Sequence, residues 1–507
     1  MALEISLTGV TYTLLALLIT FLFVQLIGGL NRKHPSPPGP WGLPIVGHLF
    51  QLGESPHLSL THLREAYGDV FRIKLGLVPV VVISGLETVK EALLKKGDTF
   101  AGRPQLITFS FFADGKSMSF SETVGDSWKQ QKKIARNSLR TLAKSEAKVS
   151  TCSCLLEEHV SAEASELVKI FVELSSKDTY FNPSNSTTNA VANVICALCF
   201  GKRYEHNDSE LMDIVKINDD FRVATSAVNP ADYLPGLRYL PLNAIKAART
   251  FYQNFNNFIA RHVKEHYTSY DKDHIRDITD ALISLCENRN PDGKLSTLSD
   301  EKIIVTVNDV FGAGFDTIAT SLSWCLLYLI NYPDIQTKIQ QEIDEKIGGN
   351  RLPRFDDRKD LHYSEGFINE IFRHTSFMPF PIPHCTTEDT VLNGYFIPRK
   401  TTTLLNFYQI NHDETIWRNA DTFKPERFLD VNGELDKSKV EKVMMFGMGT
   451  RKCLGEDVGR NEVFLLLTTI LQQLKLEKEK EEKLDMTPVS GLSLKPKAYM
   501  LKAAMRS

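Results

Sequence analysis

The segment Phe446-Gly-Met-Gly449-Thr-Arg451-Lys-Cys453-Leu-Gly455, followed by an amphipathic run from Glu456, constrains this chain more than any other stretch. It fits the pattern FxxGxRxCxG without a mismatch. Five fixed identities at fixed spacing recur by chance in a chain this long on the order of once in ten thousand. Gly449 and Gly455, having no Cβ, let the backbone come close to a neighbour. Cys453 stands just before a helix N-terminus, whose partial positive charge and free amides favour a thiolate over a thiol. The other cysteines, at positions 152, 154, 196, 199, 286, 325 and 385, are spread thinly and do not resemble a secreted disulfide framework. Cys196-Ala-Leu-Cys199 has redox-motif spacing, but it lies in an apolar helical run and reads as inert packing.

Around this loop the chain is ordinary for a globular protein: 507 residues, 42% hydrophobic, 24% charged, net charge −3. That charge argues against a nucleic-acid-binding body. The N-terminus is the exception, since no charged residue falls between Glu4 and Arg32. About 20 apolar residues suffice to cross a bilayer. The basic pair Arg32-Lys33 follows the run, which places the C-terminal side in the cytosol. The expected organisation is a transmembrane signal anchor over 1–31, a Pro-rich hinge over 32–40 (Pro35-Ser-Pro-Pro-Gly-Pro40), and one large body over 41–507.

Residues 69–75 and 79–84 read as a hairpin broken at Gly76, and short strands are expected near 390–397, 401–406 and 489–502. Most of the remainder is helical, over roughly 126–145, 151–175, 187–200, 242–268, 299–331, 333–347, 363–376 and 456–474. The longest helix has Ser299 as a possible cap, acidic residues 300 and 301 in its first turn, and a stop at Tyr332-Pro333. Its middle, Phe311-Gly312-Ala313-Gly314-Phe315-Asp316-Thr317, carries two glycines that each weaken a helix by roughly 1 kcal/mol relative to alanine. Asp309, Ala313 and Thr317 share one face, with Asp316 at its edge. No GxGxxG is present, so a dinucleotide cradle is not expected.

Taken together, the cysteine loop resembles the haem-binding signature of the cytochrome P-450 superfamily, and further motifs follow in the family's order. Glu370-Ile-Phe-Arg373 resembles ExxR, with both side chains on one helix face. Pro425-Glu-Arg427-Phe is similar to the PERF segment, and Ala313-Gly-Phe-Asp316-Thr317 to the oxygen-activation motif AGxDT. The resemblance implies a mainly α fold, the cytochrome P-450 fold, with a large helical domain and a small β-rich N-terminal region behind one transmembrane helix. It implies haem b with Cys453 as the axial thiolate, which pushes electron density onto the iron and favours O–O cleavage. Arg451 then pairs with a propionate, Phe446 shields the sulfur, and Gly449 and Gly455 allow close approach to the macrocycle. Glu370, Arg373 and Arg427 form a structural triad. Thr317 hydrogen-bonds dioxygen and Asp316 feeds protons inward, so that one oxygen atom leaves as water rather than as peroxide.

The chain departs from the family pattern in two places. Trp128-Lys-Gln-Gln-Lys132 has lysine where the WxxxR arginine meets a propionate, keeping the charge and losing the fork. Gly459 replaces the more usual alanine, which loosens that helix. His384, in Pro383-His384-Cys385, is implied as a second propionate anchor, and Trp128 and Ala313 as further haem contacts. The closest resemblance is to vertebrate microsomal family 1, subfamily A or a near relative, through Asn229-Pro-Ala-Asp-Tyr, His274-Ile-Arg-Asp-Ile-Thr-Asp and Met486-Thr-Pro. This implies an unspecific monooxygenase of planar aromatics, steroids, retinoids and fatty acids. Phe109, Phe221, Gly312, Ala313, Ile382 and Leu492 would line its pocket, and Phe109 and Phe221 would stack on aromatic rings. It also implies an endoplasmic reticulum membrane location with a cytosolic catalytic domain. Electrons would come from NADPH through the FAD- and FMN-bearing reductase, with cytochrome b5 as a further donor. A basic face formed by Lys132, Lys133, Arg136, Arg140, Lys442 and Lys452 would receive the reductase. Two other readings stay open: a haem-thiolate isomerase or dehydratase of oxygenated lipids, against which the intact Asp316-Thr317 pair argues, and a non-catalytic membrane haem sensor or carrier.

Overall fold

The computed structural model describes Tyr12, Ala16, Thr20 and residues 34–506, apart from 112–115, 143–144, 146, 177–178, 225–229, 241 and 288–298. The side chains of 217–230, 238 and 244 are also outside the description. The segment read as a membrane anchor, 1–31, thus lies outside the described residues except at three positions.

The longer helices are α1 (Pro56–Tyr67), α2 (Asp126–Leu142), α3 (Leu155–Leu174), α4 (Ser184–Phe200), α5 (Ser209–Ala224), α6 (Asn243–Ser269), α7 (Ile278–Glu287), α8 (Asp300–Asn331), α9 (Pro333–Lys346), α10 (His362–Thr375) and α11 (Glu456–Gln473). Eight match the expected spans within a few residues. α1, α5 and α7 were not anticipated, because their apolar positions are too few or too short a run to stand out as periodic. Between the helices run strands β1 (Val70–Leu75), β2 (Val78–Ile83), β3 (His384–Cys385), β4 (Thr390–Leu392), β5 (Tyr395–Ile397), β6 (Thr402–Leu405), β7 (Leu474–Glu477) and β8 (Lys502–Met505).

Helix α8 is the axis of the molecule. Among the described helices it alone is long and apolar enough to cross a membrane, yet 78% of its apolar window is buried in protein, so it is a core helix. It packs against α4, α6, α7, α10 and α11. Ser299 occupies its N-cap position in extended conformation but makes no side-chain capping bond. Its two glycines do not break the helix. A Cβ on Gly314 would lie 2.7 Å from Ile195 Cδ1, so that glycine admits α4, while one on Gly312 would meet Phe255 of α6 at 3.5 Å.

The main sheet has the order β1-β2-β6-β3. β1 and β2 form the expected antiparallel hairpin, β6 runs parallel to β2, and β3 pairs antiparallel with β6, setting His384 opposite Thr403. In the tail only Lys502–Met505 forms a strand, paired with β7, so the strand expected over 489–502 is displaced to the extreme C-terminus. The Pro-rich segment also differs from a free hinge. Arg72 N donates to Pro38 O at 2.7 Å and Phe396 N to Pro35 O at 2.8 Å. A Cβ on Gly39 would fall 1.9 Å from Arg72 O. Residues from Pro35 onward are therefore fastened to the body.

Candidate active site

The cysteine loop sits between α10 and α11, held from below by a buried polar triad. Glu370 and Arg373, both fully buried, form two parallel bonds of 2.6 and 2.8 Å. Arg427 Nε lies 3.4 Å from Glu370, and Lys424 N donates to the same oxygen at 2.9 Å. Arg373 also donates to the carbonyls of Asn411 and Ala420, and Arg427 to those of Arg418, Asn419 and Thr422. The triad thus pins the segment 411–427. Asn411 passes the constraint on: its side chain accepts from Met444 N at 2.8 Å and donates to Met444 O at 3.0 Å, at the entrance to the loop.

Within the loop, Gly449 has φ +69°, and a Cβ there would lie 1.9 Å from Leu93 O. Its small size serves a backbone-to-backbone approach within the protein, in addition to the expected approach to a cofactor. Gly455 fits that expectation better, since a Cβ there meets no protein atom within 4 Å and the residue borders a cavity. At Gly459, Ile318 Cδ1 stands 3.0 Å from where an alanine methyl would be, so α8 fills the space left by the missing side chain.

A cavity of about 350 Å³ lies between the loop and α8. Trp128, Lys132, Ala313, Thr317, Ile382, His384, Phe446, Arg451, Cys453 and Gly455 all line it, bringing together residues from across the sequence. Phe109, Gly312, Leu492 and Asp316 are not in its wall. Phe109 packs instead beside Phe120, ring centroids 4.9 Å apart. Phe221 falls on α5, but its side chain lies outside the described residues. Asp316, expected at the edge of the Thr317 face of α8 and as a proton feed, is buried, accepts from Ser493 Oγ at 2.8 Å and pairs with Lys495 of the tail. Thr317 Oγ1 donates to Ala313 O at 2.8 Å.

Cys453 is the one exposed cysteine, accessible from the cavity, though the protein encloses it closely elsewhere. Burial pushes its thiol above the ordinary value, opposed by the Gly455 amide and the ammonium groups of Lys132 and Lys452. The helix terminus alone therefore does not secure a thiolate; a cation bound to the sulfur would.

One edge of the cavity is cationic. Arg451 spends its guanidinium on the carbonyls of Ala101, Met118 and Ser121, and lies 4.5 Å over the Trp128 ring. Trp128 donates to Met118 O at 2.9 Å. Lys132 donates to Thr450 O at 2.5 Å, and burial, with Arg136 and Arg451 nearby, pulls its ammonium down to about 8. Arg103, which the sequence reading missed, is buried and donates to Ser119, Ile382 and Pro383 carbonyls. Burial and then Arg451 hold it well below the usual arginine value. Among the described residues none of these three cations has a carboxylate at ion-pair distance. The carboxylate that acts on Arg451, Asp309, is bonded to Ser117 Oγ and Met118 N and pushed up to about 6 by burial. His384 is fully buried and kept neutral, with Nδ1 2.6 Å from Phe100 O. With Nδ1–H donating there, Nε2 is an acceptor, so His384 becomes an anion anchor only by taking up a second proton.

Buried cations without a counter-charge are costly, and a bound anion relieves that cost. A flat, mostly apolar group with two carboxylates and a metal that takes sulfur fits cations, apolar walls and cysteine at once. That group is haem, and the class so defined is the haem-thiolate proteins. The chain belongs to the cytochrome P450 family, whose profile, described as Cytochrome P450, matches residues 37–503. It is 48% identical to "Cytochrome P450 1A5" of Gallus gallus over 485 residues, covering 94% of this chain and 92% of that one. It is 48% identical to "Cytochrome P450 1A1" of Oncorhynchus mykiss over 499 residues (98% and 95%), and 49% to "Cytochrome P450 1A1" of Rattus norvegicus over 461 residues (91% and 88%). The protein is accordingly a haem monooxygenase, an oxidoreductase whose cofactor is held by a cysteine thiolate and whose electrons come from a partner reductase.

Proposed function

We propose that Cys453 is the thiolate ligand and that the protein inserts one oxygen atom of O₂ into apolar, planar aromatic molecules, with steroids, retinoids and fatty acids as further substrates. The observation that carries this is the meeting of an accessible Cys453 and Thr317 on opposite walls of one largely apolar cavity. The haem supplies dioxygen binding and the oxidising equivalent, with thiolate electron donation favouring O–O cleavage. Arg103, Lys132 and Arg451 balance its carboxylates, and Trp128 buttresses two of these cations. Thr317, on the cavity face of α8, donates its hydroxyl proton to Ala313 O and would turn it toward the oxygen being reduced. Asp316, the residue before it, pairs with Lys495 of the tail, a partly exposed cation. Phe446 packs against Phe372 and under Arg460, keeping water from the sulfur.

Electrons are expected from the NADPH-dependent, FAD- and FMN-bearing reductase, with cytochrome b5 as a second donor, at the basic face around Lys132, Lys133 and Lys452. An endoplasmic reticulum membrane location, with the body from Pro35 onward cytosolic, is supported by an exposed apolar surface: Trp41, Leu43, Ile45, Leu77, Tyr239 and Leu240. Gly76 N to Val46 O and Leu77 N to Tyr233 O, each 3.1 Å, bring these loops together. Patches of this kind mark membrane or partner contacts.

Reducing the haem-loaded protein under carbon monoxide tests the ligand: the red-shifted Soret band of a thiolate adduct is expected in the wild type and lost in Cys453→Ser. A wild type without that band would overturn the assignment. Low- to high-spin shifts across a panel of planar aromatics, steroids and fatty acids then rank substrates, and the absence of any shift with aromatics would remove the substrate class.

A further inference from the structure

Of the buried carboxylates among the described residues, Glu462 alone lacks a partner. Glu163 is held by Arg203 and His206, Glu365 by Arg358, Glu370 by Arg373, Asp277 by His266 and Asp280 by Arg276. Glu157, Asp232, Asp316 and Asp413 are likewise hydrogen-bonded. Glu462 is 4% exposed, its Oε1 meets no donor, and no cation pairs with it. It sits in the wall of the same cavity as Cys453, one turn beyond the point where Gly459 of α11 meets Ile318 of α8. The α8 wall of the same cavity carries Ser321, whose Oγ is also buried and unpartnered and which follows Thr317 by one turn on the same face. An unpartnered buried polar group costs about 1–3 kcal/mol, and a carboxyl escapes most of that cost by holding its proton.

We infer that Glu462 is a redox-linked proton site: the cavity's gain of one electron is accompanied by the protonation of Glu462 from solvent, and its loss by the release of that proton. The electron comes from the partner reductase and the proton from water, so charge in the cavity is conserved. The inference rests on the reading of Cys453 as the ligand of the redox centre.

Burial alone pushes the Glu462 carboxyl up to about 8. Its charged and neutral forms are therefore close in free energy at mildly alkaline pH, and a new negative charge tips the balance. At an effective dielectric of about 20 and a separation of about 10 Å, one added charge changes proton affinity by about ten-fold or more. Neighbouring charges are already matched. On its own helix Glu456 pairs with Arg460 and Lys452, and on α10 Glu370 pairs with Arg373. On α3, which also packs against α11, Glu157 and Glu163 have partners; α9 carries Glu342 bonded to Tyr363 and Ser364, the turn Phe355–Lys359 carries Arg358 paired with Glu365, and β7 carries Lys475 paired with Glu477. Across the cavity stand Asp309 at about 6, Lys132 at about 8, Arg451 at about 10, the neutral His384, the cations Arg103 and Lys452, and Cys453 itself. Lys132 is the competitor, since it titrates in the same range.

Spectroelectrochemical titration of the haem-loaded full chain over a pH series separates them. In the wild type the midpoint potential should be flat below about pH 8 and fall with pH above it. In Glu462→Gln, a neutral mimic of the acid, the potential at neutral pH should be unchanged and the alkaline fall absent, while Lys132→Gln should keep the fall. A flat wild type, a fall that survives in Glu462→Gln, or one that disappears only in Lys132→Gln would overturn the inference. Should either variant lose haem, the reduced-minus-oxidised infrared spectrum of the wild type at alkaline pH decides: a gained carboxylic acid carbonyl band that shifts in D₂O supports the inference, and its absence overturns it. Loss of the thiolate-type carbon monoxide band in the wild type would instead sink the ligand assignment.

Discussion

Asp316 and Thr317 are neighbours in sequence, yet they have different surroundings on α8: the threonine lines the cavity, while the aspartate is tied to Ser493 and Lys495 of the C-terminal tail. Successive residues on a helix point about 100° apart, so one can face the reaction while the other faces the route from solvent. Thr317→Ala is expected to leave haem binding intact, to raise peroxide formed per NADPH consumed, and to cut product formation by about ten-fold or more. Parallel assays of peroxide, NADPH and product check this. Tight coupling in that variant would take Thr317 out of the mechanism.

Gly449 and Gly455 should respond differently to the same methyl group. Left-handed backbone at Gly449 costs a side chain about 1–3 kcal/mol, and the contact with Leu93 O adds to that. Gly449→Ala should therefore lower the denaturant midpoint and give little folded protein. Gly455→Ala, which meets no protein atom within 4 Å, should fold normally and show its defect in haem content. Equal midpoints for the two variants would contradict the Leu93 contact.

Arg103 is a cation that the protein itself leaves unbalanced. Arg103→Gln should weaken haem retention, by about ten-fold or more for a buried charge pair, and leave the haem-free chain as stable as before or more so. Haem transfer to a scavenger protein and denaturation of the haem-free chain read the two effects separately. Retention equal to wild type would show that Lys132 and Arg451 suffice.

His57 and His412 lie on either side of Tyr408, with ring centroids 4.7 and 4.0 Å away, and burial lowers both imidazoles to about 4. Between about pH 6.5 and 4 the unfolded chain binds more protons there than the folded one, so stability falls with acidity through that window. For His412 the loss amounts to on the order of 3 kcal/mol. Denaturation midpoints against pH should show this limb, and His412→Gln should flatten it. An unchanged slope would assign the acid limb to other groups.

Much of the site was legible in order along the chain. FxxGxRxCxG, Glu370 with Arg373, and the threonine face of the long helix are local patterns, each set by spacing within a few residues, and each is found where the pattern puts it. Arg103 and Asn411 carried no such signal. Arg103 matters because its guanidinium reaches the carbonyls of Ser119 and of the adjacent Ile382 and Pro383, two segments far apart in the chain, and Asn411 because it joins the triad to Met444. Phe109 and Leu492, placed in the pocket by position, are outside the cavity wall, since a side chain's direction depends on how its segment packs.

The sequence by itself determined the cysteine loop, the helical class and which residues share one face of the central helix, because these follow from intervals shorter than two helical turns. Only the tertiary structure decided which cations go unpaired, which way Asp316 turns, why Gly449 must be glycine and where Glu462 is left alone. Those are properties of burial and of contacts between distant segments, and burial sets the free energy of a charge only once the chain has closed around it.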